Sequence, residues 1–135
     1  MRFRESKPED FVYMAEHSMN KTVDRKDFET VDYTYTLEHD GNPLCLGGFR
    51  MIVPTTAWCW IDLTKEATEN MYTPYRVICE WMETFTKDMK IKRLQAFVRD
   101  IPHHIRLVEH LGFHLEGKMK NFYGDEDGLL YRRLF

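Results

Sequence analysis

The polar and apolar positions of this chain change period several times, and each change marks an element. "MRFRES", residues 1–6, alternates and reads as an edge strand. In "KPEDFVYMAEHS", Phe11, Met14 and Ala15 make one apolar face behind Pro8, Glu9 and Asp10, residues suited to a first helical turn, so a helix starts after Ser6 or Lys7. "DRKDFE", 24–29, predicts a second short helix. Period two then returns: Val31, Tyr33, Tyr35 and Leu37 alternate with Asp32, Thr34 and Thr36. Asp40-Gly41-Asn42-Pro43 makes a turn, and Leu44–Val53 comes back as the partner strand. Gly47-Gly48 inside that return strand predicts a bulge or a close backbone approach. Pro54-Thr55-Thr56 breaks the chain, and "AWCWIDLT", 57–64, is the third strand of the meander.

The longest helix follows. Val77, Ile78, Trp81, Met82, Phe85 and Met89 fall at helical spacing, with Glu80, Glu83, Lys87 and Asp88 on the other face. Thr73 reads as its N-cap and Pro74 as its first helical position. "RLQAFVR", 93–99, is a strand, and Asp100-Ile101-Pro102 opens a short helix bearing Ile105, Val108 and Leu111, closed by Gly112. "HLEGKMKNFY" and "LLYRRLF" are strands joined by "GDEDG". The order is β-α-α-β-β-β-α-β-α-β-β. A helical crossover joins strand 57–64 to strand 93–99, which makes that pair parallel and right-handed. The fold class expected is α/β (α+β), a mixed and mostly antiparallel sheet of six to seven strands flanked by about four helices.

Composition narrows the function. With 135 residues, 43% of them hydrophobic and 14% aromatic, the chain suits a single domain, 1–135, with a real core. A net charge of −3 and no Lys/Arg block argue against nucleic acid as the partner. The apolar runs are short and interrupted, so no membrane span is expected, and charges throughout residues 1–20 leave no visible signal peptide. Cys45, Cys59 and Cys79 sit among apolar neighbours and read as buried free thiols in a reducing cytosol. His103, His104, His110 and His114 invite a zinc reading, but Gly112 interrupts the helix before His114 and no carboxylate or thiol completes a set, so no metal is expected.

The stretch "QAFVRDIPHHIRLVEHLGFHLEGKMKNFY", set after a strand that enters a long helix, resembles the GNAT N-acetyltransferase superfamily. The family's closing pattern of strand, polar turn, helix ending in Leu-Gly-Phe and strand with Glu-Gly is matched by Val98-Arg99, Asp100 to His103, Leu111-Gly112-Phe113 and Glu116-Gly117. The element order covers nearly the whole chain, and the sequence-level match about its last third. Pro43-Leu44, Gly47-Gly48, Cys59-Trp60 and His104-Ile105-Arg106 further resemble small GNAT-like proteins of tailed bacteriophages, some called internal virion proteins.

The resemblance implies a central parallel pair that splays apart, with acetyl-CoA as cofactor in the opening. Ile61, Asp62 and Leu63 would offer backbone to its arm. Thr73, Tyr75, Arg76 and Val77 would face its pyrophosphate, and His103, His104 and Arg106 lie where the last helix approaches it. Candidate catalytic residues are His104 and His103, as a proton relay, and Asp62, as a base acting through water. The plainer readings are polar residues opening a helix for the histidines and a solvated strand-end carboxylate for Asp62. The implied reaction moves an acetyl group from acetyl-CoA to a primary amine of a small molecule or protein, in a bacterial cytoplasm or, if phage-encoded, in association with a virion. A homodimer, or a phage or host protein, is the expected partner.

The sequence also departs from the family. "TENMYTPYRVI" lacks the Arg/Gln-x-x-Gly-x-Gly/Ala pattern of the phosphate turn, and Val108 stands where many members carry a tyrosine. A catalytically silent GNAT-fold binding or structural protein is therefore the alternative.

Overall fold

The structure, a computed structural model, describes residues 1–19 and 33–135. The short helix expected over 24–29, and Val31 and Asp32 of the expected hairpin, lie outside them. The elements are β1 (Arg2–Glu5), α1 (Pro8–His17), β2 (Tyr33–His39), β3 (Asn42–Val53), β4 (Thr56–Leu63), α2 (Lys65–Glu69), α3 (Tyr72–Asp88), β5 (Arg93–Arg99), α4 (Pro102–His110), β6 (His114–Tyr123) and β7 (Glu126–Leu134). The strands form a seven-stranded sheet in the order β1-β2-β3-β4-β5-β7-β6. β4 and β5 pair in parallel, while β1–β2, β2–β3, β5–β7 and β6–β7 are antiparallel. This is the mixed sheet with a parallel pair that the element order predicts. The chain groups into two compact units, Met1–Arg50 with Cys59–Met82, and Met51–Trp58 with Glu83–Phe135.

In the first unit, β1 is anchored by a buried ion pair. Arg4 donates to both carboxylate oxygens of Asp10, at 2.7 and 2.9 Å, and to Glu38 at 3.0 Å. Asp10 also accepts from the Lys7 amide at 2.7 Å and the Thr36 hydroxyl at 2.9 Å. It therefore serves the open amide end of α1 while joining that helix to β1 and β2. Burial pushes the Asp10 carboxyl up, but Arg4, the Lys7 amide and Thr36 more than offset this and hold it below its ordinary value.

The β2–β3 hairpin turns on two residues. Asp40 and Gly41 have φ of 52° and 81°, the left-handed pair of a type I′ turn, so Asn42 and Pro43 already belong to β3. The register slips where Leu37 faces Cys45 and Glu38 faces Pro43, leaving Leu44 as the extra residue. The bulge thus sits beside Pro43, which has no N–H for a ladder. Gly47 and Gly48 stay in register with Tyr35 and Thr34, and here close approach is the reason for glycine. A Cβ on Gly48 would overlap the Tyr33 carbonyl oxygen and come within 2.9 Å of the Trp60 indole nitrogen.

After β4, the Thr64 hydroxyl donates to the Leu44 carbonyl at 2.7 Å and accepts from the Ala67 amide at 3.2 Å, capping α2. This helix is absent from the sequence reading because five residues are too few to display a helical period. It seats Ala67 in a core with Leu37, Leu44 and Cys45. α3 begins at Tyr72, and the Tyr75 amide bonds the Met71 carbonyl at 2.8 Å. Thr73 and Pro74 therefore lie inside its first turn, correcting the expectation that Thr73 caps it. Further along α3, Trp81 meets the rings of Phe3, Tyr35 and Phe49, with centroids 5.5, 4.7 and 4.5 Å away. Burial pushes the thiols of Cys45 and Cys59 up to about 12, so neither is a nucleophile at neutral pH.

In the second unit, β5 pairs with β7 along its whole length, from Arg93 opposite Leu134 to Arg99 opposite Gly128. The Leu-Gly-Phe stretch is the end of α4. The Phe113 amide bonds the Val108 carbonyl at 3.1 Å and the Gly112 amide bonds the Glu109 carbonyl at 3.0 Å, the two bonds of a Schellman motif. That geometry needs the left-handed φ of +88° at Gly112. The Arg133 guanidinium adds a bond to the Leu111 carbonyl at 3.1 Å. Val108, Leu111 and Phe113 are buried, as are Leu94, Leu129 and Tyr131 of the strands. The β6–β7 turn is Gly124-Asp125, so the rest of the expected "GDEDG" loop is strand.

Asp10→Asn should lower the unfolding free energy by about 3 kcal/mol at pH 7, since it removes one partner of a buried pair. Because the folded carboxyl lies below its ordinary value, this advantage is present above about pH 4 and disappears as pH falls through the folded value; urea melts of both proteins across pH measure it. Gly112→Ala should cost about 1–2 kcal/mol in the same assay, because alanine would hold φ above zero with its Cβ 3.2 Å from Arg133 Nε.

Candidate functional site

The parallel ladder has three rungs: Thr56 with Arg93, Ala57 with Leu94 and Trp58 with Gln95. Both strands then continue, β4 through Cys59–Leu63 and β5 through residues 96–99, without further register to each other. Backbone groups of successive strand residues point to opposite edges. The Thr64 amide donates to Leu44 of β3 at 3.1 Å. Trp60 and Asp62 therefore share the β3 edge, and Cys59, Ile61 and Leu63 face the other. On that second edge the Leu63 carbonyl already accepts from the Met19 amide at 2.8 Å, and Ser18 forms an antiparallel bridge with Thr64. The chain leaving α1 thus closes the tip of β4 and leaves Ile61 as the residue whose amide and carbonyl point outward beyond the last rung.

Asp62 differs from a solvated strand-end carboxylate. It is buried, and it accepts a hydrogen bond from the Ser18 hydroxyl. Its backbone faces β3, so among Ile61, Asp62 and Leu63 it is Ile61 that presents backbone to the open edge.

At the start of α3 the four expected phosphate-facing residues have different surroundings. Thr73 is exposed. The Tyr75 amide is engaged within the helix, and Pro74 has none. Arg76 lies in solvent, 3.6 Å from Glu80 one turn on. Val77 packs against the core of Leu37, Leu44, Cys45 and Ala67. An anion here would meet the amides of Tyr72 and Thr73 and the charge of Arg76. An apolar cavity lined by Phe3, Tyr35, Trp60, Ile78 and Trp81 has room for only about 40 Å³, far below a ligand chamber.

In the second unit, β5, α4 and β6 bring Arg99, His104 and Tyr123 together. The Arg99 guanidinium lies 5.1 Å from the centre of the Tyr123 ring and 3.9 Å from Glu126. His103 and His104 meet edge to face at 4.5 Å. Burial, then the nearby His103 and Arg99, hold the His104 imidazole below its ordinary value, so it is neutral at pH 7. His103 and Arg106 are exposed. The sequence reading passed over Arg99 and Tyr123, as it did Ser18 and Met19. Arg99 carried one usable signal, a cation on the last residue of a strand entering a helix. The others carried none.

Solved structures match this arrangement over almost the whole chain. A spermidine N-acetyltransferase of Vibrio cholerae superposes with a TM-score of 0.77 at 14% identity, covering 99% of this chain and 95% of its own. The ribosomal-protein-S18-alanine N-acetyltransferase of Escherichia coli gives 0.79 at 15%, covering 98% and 92%. A Bacillus subtilis acetyltransferase in complex with CoA gives 0.76 at 12%, covering 99% and 98%. The fold is that of the GNAT N-acetyltransferases. No family model matches the sequence, and no curated protein matches it. This GNAT fold therefore persists with little of the family's sequence. The start of α3 holds no glycine, and Val108 is buried in the core and offers no acid.

Proposed function

We propose that the protein is an N-acyltransferase that takes an acetyl group from acetyl-CoA and passes it to a primary amine of a small molecule or protein, in a bacterial cytoplasm. The observation that carries this reading is the outer edge of β4, where the three-rung parallel ladder ends and Ile61 still directs an amide and a carbonyl outward. An extended amide-bearing arm can pair there as an added strand would. Acetyl-CoA, when bound, supplies the activated carbonyl and the leaving thiolate. Ile61 would align its arm, and Asp62, tied to Ser18, would fix the strand tip. The Thr73 amide and Arg76 would meet its phosphates. His104, neutral at pH 7, would accept the proton of the attacking amine, with exposed His103 beside it as a route to water.

A second reading is favoured by the first turn of α3, where Pro74 is buried, the Tyr75 amide is engaged and the Tyr72 ring is exposed. In that reading the chain is a silent GNAT-fold protein whose Tyr72 side meets a protein of a phage particle or of the host. Among the described residues, no helix is long and apolar enough to cross a membrane.

Titration calorimetry with acetyl-CoA separates the two readings. Charge-assisted hydrogen bonds contribute about 1.5–3 kcal/mol each, so a phosphate seat with two amides predicts a Kd of about 40 µM or weaker, and Ile61→Pro, checked for folding by circular dichroism, should abolish binding. No heat up to millimolar ligand would leave only the silent protein. For catalysis, kcat/KM should fall on the acid side with an apparent pKa below 6.5, because protonated His104 cannot accept a proton, and should be level near pH 7. His104→Gln should remove that limb and lower the rate by about 10²–10⁴-fold.

A further inference from the structure

We propose that Arg99 is the seat for an oxyanion, a carboxylate or phosphate group of a small ligand, held between the guanidinium on the Tyr123 ring and the His104 imidazole. The proposal concerns binding and holds whether or not the protein transfers acyl groups.

Other arginines of this chain are similarly buried. The side chains of Arg4, Arg133 and Arg93 are 12%, 23% and 26% exposed, and each has an oxygen acceptor close by: Asp10 at 2.7 Å, the Leu111 carbonyl at 3.1 Å and Glu116 at 2.8 Å. Arg99 is 21% exposed, as withdrawn from water as these. Yet among the described residues its nearest carboxylate, on exposed Glu126, lies 3.9 Å away, beyond hydrogen-bond range. A guanidinium carries five N–H donors, and leaving them without acceptors out of water is costly. The Tyr123 ring, 5.1 Å from the guanidinium carbon, orients the cation without taking a hydrogen from it.

The surroundings are those of an anion site. Neutral His104 has one ring N–H to donate and, unlike an imidazolium, does not repel Arg99. The amides of His103 and His104 precede the first bond inside α4, from the Ile105 amide to the Ile101 carbonyl at 3.0 Å, and lie at the same end of that helix. A planar carboxylate or a phosphate face can take two parallel bonds from the guanidinium fork. Glu126 competes for the same cation. It limits the seat to one oxyanion and sets a modest affinity.

The test follows the His104 side chain by NMR while the folded protein is titrated separately with succinate, inorganic phosphate and CoA at constant ionic strength. A bound oxyanion should raise the pH at which His104 titrates. Arg99→Gln should weaken the response at least about tenfold, and Glu126→Gln should strengthen it about two- to fivefold. A response to succinate alone assigns the seat to a carboxylate of a ligand. A response to phosphate or CoA assigns it to a phosphate group. The proposal is overturned if none of the three moves His104 at about 50 mM, if chloride at equal ionic strength moves it as far, or if the response survives in folded Arg99→Gln.

Discussion

β4 and β5 run in the same direction, so no hairpin can join them, and the chain between their paired ends must climb back through a helix. That demand places a helical crossover, α2 followed by α3, between β4 and β5 and gives β4 two different edges. One is occupied by β3. The other carries β5 for three rungs and then stands open at Ile61. The candidate site in the first unit follows from this one pairing: the outward backbone of β4, the start of α3 and the strap of Ser18 and Met19 over the strand tip. Were β4 paired along its full length, its backbone groups would be satisfied and could recognise nothing.

Several polar groups withdrawn from water are satisfied in small closed sets. Asp10 gathers Arg4, Thr36 and the Lys7 amide; Thr64 joins Leu44 to Ala67; Asp62 takes the Ser18 hydroxyl. Each set ties a helix end or a connection to a strand, which is where an unmet donor or acceptor would otherwise cost most. Arg99 differs from these sets: among the described residues it has the Tyr123 ring beneath it and its nearest carboxylate, Glu126, at 3.9 Å.

The GNAT fold is kept here at 12–15% identity to the three enzymes described, which shows how few residues the architecture requires. Gly112 is one, because a Schellman end needs its left-handed φ, and Gly48 is another, because the Tyr33 carbonyl leaves no room for a Cβ. A glycine at the start of α3 is not among them. Fold and chemistry are separable in this way because the sheet depends on apolar spacing and a few backbone conformations, whereas the site depends on which amides are left unengaged.

The sequence by itself determined the elements whose causes are local. Period two in Tyr33, Tyr35 and Leu37, period 3.6 in Val77, Ile78, Trp81 and Met82, and the glycine after Leu111 each act over a few residues, so the order of strands and long helices was legible, as was the parallel crossover. The five-residue α2 escaped because it is shorter than the period that would reveal it. Of the candidate site, the strand carrying Ile61, the long helix and the start of α4 were legible as positions. Their roles were not. Whether the Tyr75 amide is available depends on the Met71 carbonyl, whether Asp62 meets water depends on Ser18, and whether Arg99 has a partner depends on Tyr123 and Glu126. Hydrogen-bond engagement and burial are set by neighbours far apart in the chain, and only the tertiary structure decides them.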